Sequence, residues 1–226
     1  MPFRDRRDAG IRLAAALAAY KDQNPVILAL PRGGVPVAAE IAAALAAPLD
    51  LILVRKIGVP FQPELAMGAV VDGVAPIVVR NDNVIRQAGI ADEDFKSACD
   101  RELAEIDRRR KYYLGNRIPV AVDGCTAIIV DDGIATGATT RAALQATRMR
   151  NPKTLVLAVP VAPTESLDEI SQETDDTVCL EQYDDFGAIG LYYADFRQIS
   201  DEEVIRTLAR FPARTAGRSK QSFGIT

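Results

Sequence analysis

The stretch Ala127-Ile128-Ile129-Val130-Asp131-Asp132-Gly133-Ile134-Ala135-Thr136-Gly137-Ala138-Thr139-Thr140 decides how the chain is read. An unbroken apolar run ending in turn residues is the pattern of a central parallel strand, because helices cover both of its faces. In open α/β sheets ligands bind beyond the carboxyl ends of such strands. Here that end carries two adjacent carboxylates, then a turn of small and hydroxyl residues, then a helix predicted over 139–149. Gly133, Ala135, Gly137 and Ala138 let backbone approach a ligand, and the helix start presents free N–H groups and a positive dipole end. The turn therefore reads as a cradle for a phosphate group, with Thr136, Thr139 and Thr140 adding hydroxyl donors. Asp131 and Asp132 beside it repel each other unless they face hydroxyl groups or a cation. A phosphorylated sugar, often carrying Mg²⁺, supplies both.

Other phosphate-binding turns fit less well. A P-loop needs a lysine after its second glycine, and this turn has none. A dinucleotide site places its acid well downstream of the glycines, whereas these acids precede them. A plain strand-to-helix turn with solvated acids does not require so ordered a run of small and hydroxyl residues.

Working outward towards the N-terminus, residues 6–20 are alanine-rich with Leu13, Leu17 and Tyr20 on one helical face, and 26–30 form an apolar run read as the first buried strand. Pro31-Arg32-Gly33-Gly34-Val35-Pro36 then turns the chain into a second alanine-rich helix reaching about residue 46. Arg32 is the one charge in that turn, and its guanidinium fork suits a phosphate group. Residues 49–54 read as the next strand, ending in Arg55-Lys56, two cations expected on the ligand side of the sheet. The glycine- and proline-bearing segment 57–63 reads as a movable cover over the site. Glu64 is placed to orient Arg55 or Lys56.

Residues 66–71 and 76–79 read as a hairpin turning at Val71-Asp72-Gly73-Val74. A helical turn at 83–87 precedes a long helix over 91–113, acidic at its start and basic at its end (Arg108, Arg109, Arg110, Lys111), in keeping with the helix dipole. That basic cluster reads as a solvated helix end, and the helix offers a face on which a second copy of the chain could pack. Beyond the opening stretch, 154–160 and 177–180 read as strands with a helix at 164–171 between them. Tyr183, Phe186, Tyr192, Tyr193 and Phe196 form an aromatic run, and Ser200-Asp201-Glu202-Glu203 is a capping box opening a last helix. The repeated strand–helix alternation predicts a doubly wound parallel sheet.

Composition excludes several classes. With 226 residues and 48% hydrophobic residues the chain is long enough for a sizeable core and is not mainly disordered. A net charge of -4 gives no footprint for nucleic acid, and no apolar run is long enough to span a membrane. The first residues lack a signal-peptide core, so a cytoplasmic location is the simple expectation. Cys99, Cys125 and Cys179 have neither disulfide-framework nor zinc-site spacing. The absence of histidine excludes Ser-His-Asp and Cys-His catalysis and His-based metal sites.

In the order of their parts, these motifs resemble the type I phosphoribosyltransferases. The resemblance covers roughly residues 3–210. It implies one domain over residues 1–211, with a hairpin and long-helix insertion at about 66–114, a C-terminal hood at about 182–210 and a flexible tail at 212–226. It also implies the substrate phosphoribosyl pyrophosphate (PRPP) with Mg²⁺, the metal being met by Asp131 and Asp132 indirectly or through PRPP. Asp131 and Asp132 would hold the ribose, and Ala135, Thr136, Gly137, Ala138, Thr139 and Thr140 the 5′-phosphate. Arg32 and Gly33 would contact the pyrophosphate, with Arg55 and Lys56 in support. The hood would recognise a small acceptor, commonly a nucleobase, and the hood aromatics either stack on that base or form their own small core. The expected reaction is transfer of the phosphoribosyl group with release of pyrophosphate. The same fold also serves non-catalytic PRPP sensors, and transfer to water would make a PRPP hydrolase. A DNA-binding regulator would need a helix-turn-helix or a basic face, and neither is present in the sequence.

Overall fold

The computed structural model describes residues 2–73 and 76–211. In chain order the elements are α1 (Arg6–Ala16), β1 (Pro25–Ala29), α2 (Gly34–Leu45), β2 (Leu49–Leu51), β3 (Val54–Val59), β4 (Gln62–Val71), β5 (Ile77–Arg80), α3 (Asp82–Gln87), α4 (Asp92–Leu114), β6 (Thr126–Val130), α5 (Ala138–Arg148), β7 (Thr154–Pro163), α6 (Thr164–Ser171), β8 (Asp176–Tyr183) and α7 (Asp201–Ala209). Val74 in the hairpin turn and the tail 212–226 lie outside the described residues.

Alternation along the strands builds the two-faced sheet. Ile27 and Ala29 of β1, Ile128 and Val130 of β6, and Val156 and Ala158 of β7 point to one side, where α1 and α2 cover them and α7 packs on α2. Val26, Leu28, Ala127, Ile129, Leu155 and Leu157 point to the other, against α5 and α6. With both faces covered, every residue of β1 and β6 is buried. The strand order is β2-β1-β6-β7-β8, all neighbours parallel. The chain winds one way from β1 to β2 and the other way from β6 to β7 and β8, as the doubly wound architecture requires. The topological switch point falls between β1 and β6, where such sheets open a crevice for ligands.

The insertion departs from the sequence reading in two places. The expected strand over 49–54 stops at Leu51. The Ile52 amide still reaches the Ala29 carbonyl, but the Leu53 amide donates to the Asp72 carboxylate and the chain leaves the parallel sheet. Residues 54–59 then form β3, so Arg55 and Lys56 lie within a strand rather than at a strand's end. Residues 57–63 are no loose cover: β3 and β4 pair antiparallel up to Val59 opposite Gln62, leaving Pro60 and Phe61 at the tip. With β5 this makes a separate three-stranded antiparallel sheet.

Asp72, read as part of the hairpin turn, is 2% exposed. Its carboxylate accepts from the Leu53 amide and from Arg110, and Arg150 donates to its carbonyl. Arg110 therefore turns inward, while Arg108 and Arg109 pair with Glu105 on the same helix. These contacts fasten α4 and the small sheet to the main one. Contacts of α4 within the chain run to β3, β4 and α7.

Candidate functional site

The acidic pair sits where β6 ends at the switch point. Asp132 is 8% exposed and Asp131 half-buried. The Asp132 amide donates to Asp131 Oδ1 at 2.8 Å, and the two carboxyl groups lie close enough to act on each other directly. Burial, and then the charge of Asp132, push the Asp131 carboxyl well above its ordinary value of 3.8.

Asp132 is already matched by a cation the sequence reading passed over. Arg6, the first residue of α1, approaches it with Nε at 2.7 Å from Oδ2, and both side chains are about nine-tenths buried. Arg6 Nη1 also donates to the Arg197 carbonyl at 2.9 Å, and its guanidinium lies 3.8 Å from the centre of the Phe196 ring. Tyr193 closes the other side, its hydroxyl donating to the Asp132 carbonyl at 2.6 Å. Burial raises the Tyr193 phenol far above its ordinary range. Neither contact had a local signal in the sequence, since Arg6 stood among four other charges at the chain start and Tyr193 inside an aromatic run.

That aromatic run forms the hood's own core. Tyr183 and Phe186 both stack on Tyr192, at 4.6 and 4.8 Å, and Tyr193 packs against Phe196 and Phe3. The rings are engaged with one another and with Arg6, so base stacking is not what arranges them.

The Arg32 loop lies directly against the acidic pair. A Cβ on Gly33 would run into the Asp132 carboxylate, and one on Gly34 would come within 2.6 Å of the Val130 carbonyl and 2.9 Å of Asp131 Cα. Only glycine permits two strand ends to approach so closely. Arg32 is held by Asp201 at 3.5 Å, and Asp201 accepts the Tyr113 hydroxyl at 2.5 Å. Burial and that carboxylate push the Tyr113 phenol up to about 12. A carboxylate from α7 therefore occupies the guanidinium expected to receive a phosphate.

Across the switch point, α5 begins at Gly137 in the left-handed region, φ 72°, with no side-chain cap. The first amides of α5 are thus left to a ligand or to water. Ala135, Thr136, Ala138 and Thr139 are exposed, and Gly137 and Thr140 buried. Arg55 pairs with Glu102 of α4 at 2.8 Å, and Lys56 with Glu64 at 3.2 Å. No described contact joins either cation to Arg32 or the acidic pair. Among the described residues no group of three or more His, Cys, Asp or Glu side chains could hold a metal ion. No described helix is long and apolar enough to cross a membrane.

Comparison with known proteins gives the family of the chain. Two Mycobacterium tuberculosis proteins, from strains CDC 1551 / Oshkosh and ATCC 25618 / H37Rv, each named "Putative phosphoribosyl transferase", are 45% identical over 208 residues, 92% of this chain and 46% of theirs. The chain spans about half the length of these relatives. The crystal structure of TT1426 from Thermus thermophilus superposes with a TM-score of 0.82 at 40% identity, covering 94% of this chain and 100% of that one. The family described as the phosphoribosyl transferase domain matches residues 5–197, and the chain belongs to that family.

Proposed function

We propose that the chain transfers the 5-phosphoribosyl group of PRPP to a small acceptor, a nucleobase being the first candidate, with release of pyrophosphate. The observation that carries this reading is the meeting of two loops at the switch point, where Gly33 and Gly34 press the Arg32 turn against Asp131 and Asp132 beside the uncapped start of α5. A donor with phosphate at one end and pyrophosphate at the other matches that arrangement.

In this reading the amides and hydroxyls of Ala135, Thr136, Gly137, Ala138, Thr139 and Thr140 fix the 5′-phosphate. Asp131, the acid without a cation, takes the ribose hydroxyls. As the bond from the anomeric carbon to pyrophosphate breaks and the bond to the acceptor forms, positive charge grows on the sugar, and the acidic pair stabilises it. Arg32 leaves Asp201 for the departing pyrophosphate. Arg6 holds the Asp132 carboxylate in place beside the ribose position. The acidic pair suits a Mg²⁺ ion that arrives on the substrate, since Asp131 pairs with no cation among the described residues; the ion would offset the charge of the pyrophosphate. With no histidine in the chain, the proton of the acceptor passes to a carboxylate, to water or to pyrophosphate.

Incubation with Mg²⁺, PRPP and a panel of purines, pyrimidines and small amines tests the reaction through pyrophosphate release and product mass. Acceptor-dependent release is the expected result. Release without an acceptor would replace the transferase by a hydrolase, and PRPP binding without release in any mixture would replace it by a sensor.

A further inference from the structure

A second concave site stands apart from the switch-point loops. The start of α1, the segment leading into α7 and the outer face of α7 enclose a cavity of about 440 Å³, a volume in the range of small-ligand sites. Its walls carry five arginines, Arg6, Arg7, Arg197, Arg206 and Arg210. Against them stand three acids, Asp5, Asp195 and Glu203, together with Asp132 and Glu40, which pair with Arg6 and Arg7 from outside the cleft.

The arginines are not equally engaged. Arg6 is held by Asp132, Arg7 by Glu40, and Arg197 by Glu203. Arg206 and Arg210 form no ion pair among the described residues. They stand four positions apart on α7, a spacing at which like charges face each other and repel. Both are exposed, and both reach the same cavity. An anion between them removes the repulsion, and the positive end of α1, which also borders the cavity, adds to the attraction. Asp5 is partly spent as the cap of α1, accepting the Asp8 amide.

We infer that this cleft binds a multiply charged phosphate ester of nucleotide size, held between Arg206 and Arg210 on one wall and the start of α1 on the other. It is separate from the PRPP site and does not depend on the reaction proposed above. The two sites share one residue: Arg6 lines the cleft and grips Asp132.

Calorimetric titration with inorganic tripolyphosphate in the absence of Mg²⁺ tests the inference. The expected result is two equivalents bound per chain, one of them displaced by PRPP. In an Arg206→Gln, Arg210→Gln variant the PRPP-insensitive equivalent should weaken at least tenfold while the other is unchanged. Gln keeps helix propensity on this exposed face, so an unchanged melting temperature would show that the variant folds. A wild type whose bound tripolyphosphate is all displaced by PRPP, or a folded variant that keeps the PRPP-insensitive equivalent undiminished, would overturn the cleft. If PRPP displaces neither equivalent yet the variant still loses one, the cleft stands and the PRPP reading fails.

Discussion

At the scale of single residues, the proposed reaction requires pyrophosphate to break the pair Arg32–Asp201. Both side chains are more than a third exposed, so the pair is worth at most about 1 kcal/mol. Asp201→Asn keeps an acceptor for Tyr113 but gives up the charge, and affinity for pyrophosphate and PRPP should rise about two- to fivefold on the same principle. Calorimetry that found equal or weaker binding would remove Asp201 from the role of competitor. The buried pair is a larger matter. Arg6→Gln leaves the Asp132 carboxylate without its cation, and unfolding by urea should show a loss of about 3 kcal/mol. Asp131 carries the opposite sign. Its folded pKa lies above 3.8, so its penalty is absent below that pH and complete above the raised value. Asp131→Asn retains the acceptor for the Asp132 amide; it should raise the melting temperature at neutral pH, with the gain shrinking as pH falls towards 3.8, and should weaken PRPP binding. A variant less stable at pH 7 and with full PRPP affinity would contradict both statements.

At the scale of elements, the approach of the turn after β1 to the end of β6 is the geometry most exposed to a single change. Gly34→Ala puts a methyl group 2.6 Å from the Val130 carbonyl, backbone against backbone, where neither side rotates away. A destabilisation of about 1–3 kcal/mol is expected, together with weakened PRPP binding, measured by unfolding and titration on one sample. This element pair was readable from the sequence because its signals are local: an apolar run, glycines, then an alanine-rich helix. The capping box at Ser200 is equally local, and its reciprocal bonds to Glu203 are present. The end of β2 was not readable, because the run 49–54 stays apolar while its pairing changes partner. What ends the strand is Asp72, which reaches the Leu53 amide from 19 residues away and is held by Arg110 of α4. Arg55 and Lys56 were misplaced for the same reason: their position depends on a partner strand, not on their neighbours in sequence.

At the scale of the whole molecule, the switch point between β1 and β6 follows from strand order, and strand order follows from the alternation of elements; the fold was legible, and with it the crevice beside which the proposed site lies. Asp131, Asp132 and the turn at 135–140 could be read as one proposed site because they are contiguous. Arg6 and Tyr193 could not, being 126 and 61 residues from Asp132 and brought to it only by packing. A ligand that binds the folded chain alone stabilises it by about 2.7 kcal/mol at one hundred times its dissociation constant. For a chain of 226 residues this corresponds to a melting temperature about 5–10 °C higher in saturating PRPP, read by thermal unfolding. An unshifted melting curve would argue against PRPP as the ligand.

The bridge between Phe3 and Tyr193 gives these distances a further meaning. The Phe3 amide donates to the Tyr192 carbonyl, and the Ala194 amide to the Phe3 carbonyl, so the two ends of the family domain are stitched together beside the acidic pair. Closing a loop of that length is among the slowest contacts for a chain to make, and synthesis delivers its second half last. On the ribosome, the strands and the phosphate turn can form while Asp132 still lacks Tyr193 and Arg6 still lacks Phe196 and Arg197. The braced form of the acidic pair is therefore something the nascent chain acquires only once residue 197 has emerged and Phe3 has found Tyr193.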